Sequence, residues 1–73
     1  MYQEFQNKLG KRIRALREMK GISQQELASM CDFEKSNMSR LEAGRTNPTV
    51  LTLLKICDAL SITLPELVKI DEN

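Results

Sequence analysis

Apolar residues return at helical intervals along the first twenty positions. Phe5, Leu9, Ile13 and Leu16 follow one another at steps of four, four and three, one stripe of an amphipathic helix over about Tyr2–Lys20. Gly21 is its natural stop, while Gly10 is a mild misfit, since glycine weakens a helix interior. At "ISQQEL" a second helix opens. Ser23 can cap the backbone while Glu26, three residues on, reaches back, and Ile22 and Leu27 flank the pair as an apolar staple. This helix carries Leu27, Ala28 and Cys31 inward and ends near Asp32. A third helix starts near Glu34, with Phe33 and Met38 as the next staple pair, and stops at Gly44. "RTNP" is a loop, because proline disfavours helix in the residue before it.

The fourth helix runs from about Val50 to Leu60 behind a Thr49 cap, with Val50, Leu53, Cys57 and Leu60 as its inward stripe. The fifth begins at "ITLPEL", where Thr63 and Glu66 repeat the capping box and Ile62 and Leu67 the staple. Pro65 is tolerated there because first-turn amides have no helical partner. No repeat or linker intervenes. The reading is all-α, one domain over residues 1–73, with helices two and three and their tight turn forming a helix-turn-helix unit at about 23–43.

The third helix does not fit the pattern of a core element. Met38 and Leu41 share one face, but Lys35, Ser36, Ser39 and Arg40 occupy the rest, since successive residues turn by about 100°. A helix this short leans on its neighbours. Its broad polar side needs another explanation.

Composition narrows the choices. Seventy-three residues, 41% hydrophobic and 29% charged, make an ordinary small globular domain, and three aromatics are too few for a sandwich or barrel core. Cys31 and Cys57 lack the spacing of a zinc site and read as core residues. Histidine is absent, which removes the commonest general base and metal ligand, so neither catalysis nor a metal or other cofactor is expected. No apolar run approaches a membrane span and the N-terminus has no continuous apolar segment, so a cytoplasmic location is expected. Net charge is +1 but uneven: residues 1–45 hold nine Lys/Arg against six Asp/Glu, residues 46–73 two against four. That polarity is too modest to identify a nucleic-acid binder unaided.

"SQQELA", "SNMSRLEAG", "NPT", "LLKICDAL" and "LPEL" keep a common spacing over about residues 9–67. In these elements the chain resembles the Cro and phage-repressor (XRE) helix-turn-helix proteins. The resemblance implies a five-helix lambda-repressor-like domain that binds double-stranded DNA. Three departures stand out. Asp32 and Ser61 occupy places where the family often has glycine, and Glu34 stands where a serine or threonine cap is usual. A carboxylate at Glu34 suits the positive helix end but repels a nearby phosphate.

Within that frame the polar side of helix three becomes a reader of bases. Lys35 and Arg40 can donate to guanine edges, Ser36 and Asn37 can donate or accept, and asparagine is the residue type that pairs with adenine. Phosphate contacts are expected from Ser23 and Gln24 at the start of helix two, where amides are free, from Ser39, from Arg45 and Asn47 in the following loop, and from Arg14 on the polar side of helix one. Family resemblance further pairs Arg17 with Glu42 as a structural ion pair. Leu51, Leu54, Leu64, Val68 and Ile70 exceed what so small a core can use, so Leu51, Leu64 and Val68 are expected in a homodimer interface matched to a palindromic operator. With only "DEN" after helix five, no effector or catalytic domain is expected. The expected function is a transcriptional regulator acting by operator occupancy. Its rival is an antitoxin-like protein-binding module that sequesters a toxin partner.

Overall fold

In the computed structural model, residues 2–70 are described; Met1 and the closing Asp71–Asn73, read above as the ends of the domain, lie outside the described residues. Five helices follow in order: α1 (Tyr2–Met19), α2 (Gln24–Met30), α3 (Lys35–Glu42), α4 (Val50–Leu60) and α5 (Leu64–Leu67). The all-α expectation holds, and each boundary lies within about two residues of its sequence-based placement.

The starts of the helices are fixed locally. Ser23 accepts from the Glu26 amide while the Glu26 carboxylate accepts from the Ser23 amide, and Thr63 and Glu66 repeat the arrangement. Thr49 accepts from the Thr52 amide at the head of α4. Glu34 is the exception: it occupies the cap position of α3 in extended backbone but its side chain caps nothing.

Four helix ends share one device. After α1, α2, α3 and α4 the chain turns through a left-handed residue, Gly21, Asp32, Gly44 and Ser61 in turn. At each, two amides reach back to the last turn, as with Gly44 N to Leu41 O at 3.1 Å and Arg45 N to Arg40 O at 2.9 Å. Asp32 and Ser61 therefore hold the same geometry as the two glycines, with φ of 60° and 56°.

α3 packs on α1 and α2, α4 on α2 and α5, and α5 returns to α1. Leu9, Ile13 and Leu16 of α1 meet Leu27, Ala28 and Cys31, then Met38 and Leu41, then Ile56, Cys57 and Leu60, with Leu67 closing the cluster. Ile22, Phe33 and Ile62, each just before a capping position, lean on this core from its edge. Two expectations fail here. Val50 is 66% exposed, because the first turn of α4 projects past the core and Ile56 takes the inward place beside Cys57. Phe5 is 43% exposed although the first turns of α1 meet the end of α3, where Gln3 Nε2 donates to the Gly44 carbonyl at 2.7 Å.

Gly10 is no misfit. It is buried where α1 crosses the end of α3, and a Cβ there would lie 2.7 Å from the Leu41 carbonyl oxygen and closer still to that of Glu42. Such separations are well inside van der Waals contact. The two backbones meet this closely only because position 10 has no side chain.

Candidate nucleic-acid interface

α3 is held from behind and open in front. Met38 and Leu41 are buried in the core, whereas Lys35, Ser36, Asn37, Ser39 and Arg40 are all exposed. All four residues expected to read bases thus share one solvent-facing surface with Ser39.

What holds the helix is a buried polar knot. Arg17 Nε donates to Glu42 Oε2 at 2.7 Å and Nη2 donates to Oε1 at 3.1 Å, a two-pronged pair between α1 and α3. Both residues are buried, at 8% and 7% exposure. Arg17 Nη1 donates to the Ile22 carbonyl at 2.7 Å, and Gln24 Nε2 donates to Glu42 Oε1 at 3.0 Å. One carboxylate therefore joins α1, the entry to α2 and α3. Hydrogen bonding to Glu42 raises the Arg17 pKa above its ordinary value against the opposing cost of burial, and an arginine side chain is charged in any case.

On the exposed face, Arg40 Nη2 donates to Asn37 Oδ1 at 2.6 Å. The two side chains lie one turn apart and hold each other. Sequence reasoning took them as separate readers and missed this bond, although their i, i+3 spacing permits it.

The residues expected at phosphate are more dispersed. Ser23 is exposed, its oxygen accepting from the Glu26 amide, and the hydroxyl proton remains free to donate. Gln24 is half-buried with its amide turned to Glu42, an engagement of separation 18 that local pattern could not reveal. Arg14 pairs with Glu18 on its own helix at 3.3 Å, both exposed. Arg45 and Asn47 are exposed beyond the end of α3. A concavity of about 230 Å³ is lined by the apolar Phe33, Leu41 and Pro48 and by Asn37 and Asn47 together with Thr46, Thr49 and Thr52. It brings a base candidate and a phosphate candidate to one depression, and adds three hydroxyls that the sequence reading did not single out.

The expected interface residues divide. Leu51 and Val68 are exposed, at 63% and 37%, but Leu64 is half-buried against the core cluster.

The HTH_3 helix-turn-helix family matches residues 13–67, most of the chain. The chain belongs to this family. Among relatives of the regulator, an uncharacterized HTH-type transcriptional regulator, y4dJ from Sinorhizobium fredii, is 40% identical over 60 residues, covering 82% of this chain and 78% of its own. The control protein C.MunI from a Mycoplasma species is 34% identical over 61 residues, covering 82% of each. The crystal structure of the restriction-modification controller protein C.AhdI from Aeromonas hydrophila superposes with a TM-score of 0.81 at 38% identity, over 84% of this chain and 92% of that one. The chain is a helix-turn-helix transcriptional regulator that binds DNA.

Proposed function

We propose that the regulator is a cytoplasmic homodimer that occupies a palindromic operator, reading bases with Lys35, Ser36, Asn37 and Arg40 and gripping phosphates with Ser23, Gln24, Ser39, Arg45 and Asn47. One observation carries this reading: the exposed face of α3 holds hydrogen-bonding groups and no large apolar one, while its opposite face is locked into the core and to α1. A helix held in this way can enter the major groove without its own domain giving way. Arg14 is a weaker candidate for phosphate, because Glu18 already neutralises it. None of the described helices is long and apolar enough to cross a membrane.

Pairing of two copies is proposed through Leu51 and Val68 with Val50 and Leu54, which together form an exposed apolar set on α4 and just after α5. Leu64 contributes only what the core leaves uncovered. A control protein and a restriction-modification controller among the relatives favour a regulatory role over capture of a toxin.

The test is selection of bound sequences from a random DNA pool, followed by affinity measurements at several salt concentrations. A two-fold symmetric motif and an affinity that falls steeply with salt, as released counterions require, are the expected result. A salt-insensitive protein that enriches no sequence is a protein-binding module instead.

A further inference from the structure

The contact between Asn37 and Arg40 changes what the face of α3 can read. Asparagine distinguishes adenine by accepting from its amino group with Oδ1 while donating to N7 with Nδ2. Here a guanidinium already donates to Oδ1, at 2.6 Å. A second lone pair remains on that oxygen. An adenine amino group using it, however, would lie beside the guanidinium, donor against donor. A guanine O6 in the same place meets donors on both sides: the two N–H groups of Asn37 and the unused N–H groups of Arg40. Lys35, also exposed, adds donors only.

We infer that Asn37 and Arg40 work as one donor array that recognises the acceptor edge of guanine, and that Asn37 does not read adenine by itself. This rests on the reading of α3 as the base-contacting helix and goes on to name the base and the atoms. Asn37 acts on two levels. Its carbonyl fixes the Arg40 fork, replacing the freedom of a long side chain with one orientation, and its amide extends the row of donors. The arrangement also makes the pair interdependent, since removing Asn37 releases Arg40.

Both side chains are exposed and outside the core, so Asn37→Ala, Arg40→Ala and the double variant should fold, which their melting curves would verify. The sequence pool is selected with the full chain of each. At the position whose preference disappears in Arg40→Ala, the wild type should select guanine, and Asn37→Ala should weaken that same preference. Replacing this guanine with 7-deazaguanine, which lacks the N7 acceptor, should lower wild-type affinity by about tenfold and that of the double variant by less than about twofold. The double variant should lose clearly less than the product of the two single losses, because Asn37 acts partly through Arg40. The inference is overturned if Asn37→Ala erases a preference for adenine at a different position. It is equally overturned if the two single losses multiply in the double variant. A pool that enriches nothing removes the base-reading function itself and this assignment with it, an outcome distinct from enrichment of the wrong base.

Discussion

Glu42 bears three hydrogen bonds on one carboxylate, which makes it the residue where a small change has the largest reach. Glu42→Ala would leave the Arg17 guanidinium buried beside only the Ile22 carbonyl, and Gln24 without its acceptor. Breaking a buried pair from one side costs about 3–5 kcal/mol, against less than about 1 kcal/mol for an exposed one. Chemical denaturation should show the larger loss; an unchanged midpoint would mean that water reaches the pair. Gly10→Ala is the other sensitive site. Its added methyl would press on the Leu41 and Glu42 carbonyls, and overpacking of this sort costs about 1–3 kcal/mol. A gain in melting temperature, as simple helix propensity would give, would show that α1 can move aside. The ion pair was legible through family resemblance, but the role of Gly10 was not. Nothing in the neighbouring residues announces that a carbonyl from 31 positions later lies against it.

At the level of the elements, the helix boundaries were legible because their causes are local. A capping box acts across three residues and can be seen in "SQQE" or "TLPE" directly. Which face of a helix is inside was less legible in the first turns of α1 and α4, hence the errors at Val50 and Phe5. The helix ends invite substitution. Ser61→Gly relieves a left-handed serine whose geometry glycine adopts freely, and should stabilise by about 0.5–1 kcal/mol. Glu34→Ser should likewise stabilise α3 by about 0.5–1 kcal/mol by supplying the missing cap. Thermal melting checks both, and a loss at either position would mean that the native side chain makes a contact beyond its cap.

The capping carboxylates also set a pH dependence. Backbone amides of Ser23 and Thr63 hold Glu26 and Glu66 below their ordinary pKa of 4.5. Each is deprotonated more readily in the folded than in the unfolded chain. Their contribution is therefore complete above about pH 4.5 and is lost as the pH falls through the lowered folded values. In an E26Q/E66Q variant the melting temperature should fall less steeply with acid below pH 4.5. A slope equal to that of the wild type would assign acid sensitivity to other groups.

For the whole molecule, size bears on assembly. The longest dimension of the described chain is 31 Å, whereas recognition helices on successive major grooves stand about 34 Å apart. One copy presents a single α3, so the two-fold operator proposed above calls for two copies. Substituting Leu51 or Val68 with aspartate should leave the folded monomer intact and its half-site affinity nearly unchanged. Affinity for the full palindrome should fall. Sedimentation at high micromolar concentration, with and without the selected DNA, checks the pairing directly, and a monomer in both conditions would eliminate the dimer. The candidate site was partly legible at this scale: the exposed side of α3 followed from its narrow apolar stripe. The bonds Gln24–Glu42 and Asn37–Arg40 were not, because several geometrically allowed partners compete and only the assembled surface selects among them.

The separation of the two sides of α3 has an evolutionary consequence. Met38, Leu41 and Glu42 are constrained by the packing and hydrogen bonds they make inside the domain, but Lys35, Ser36, Asn37 and Arg40 are spared that constraint. With those four side chains reading bases as proposed, descendants of this chain can exchange them and acquire new targets while keeping the same scaffold. Duplicated copies in one genome could drift apart in address without passing through an unfolded ancestor, and a designer seeking a new address has the same freedom.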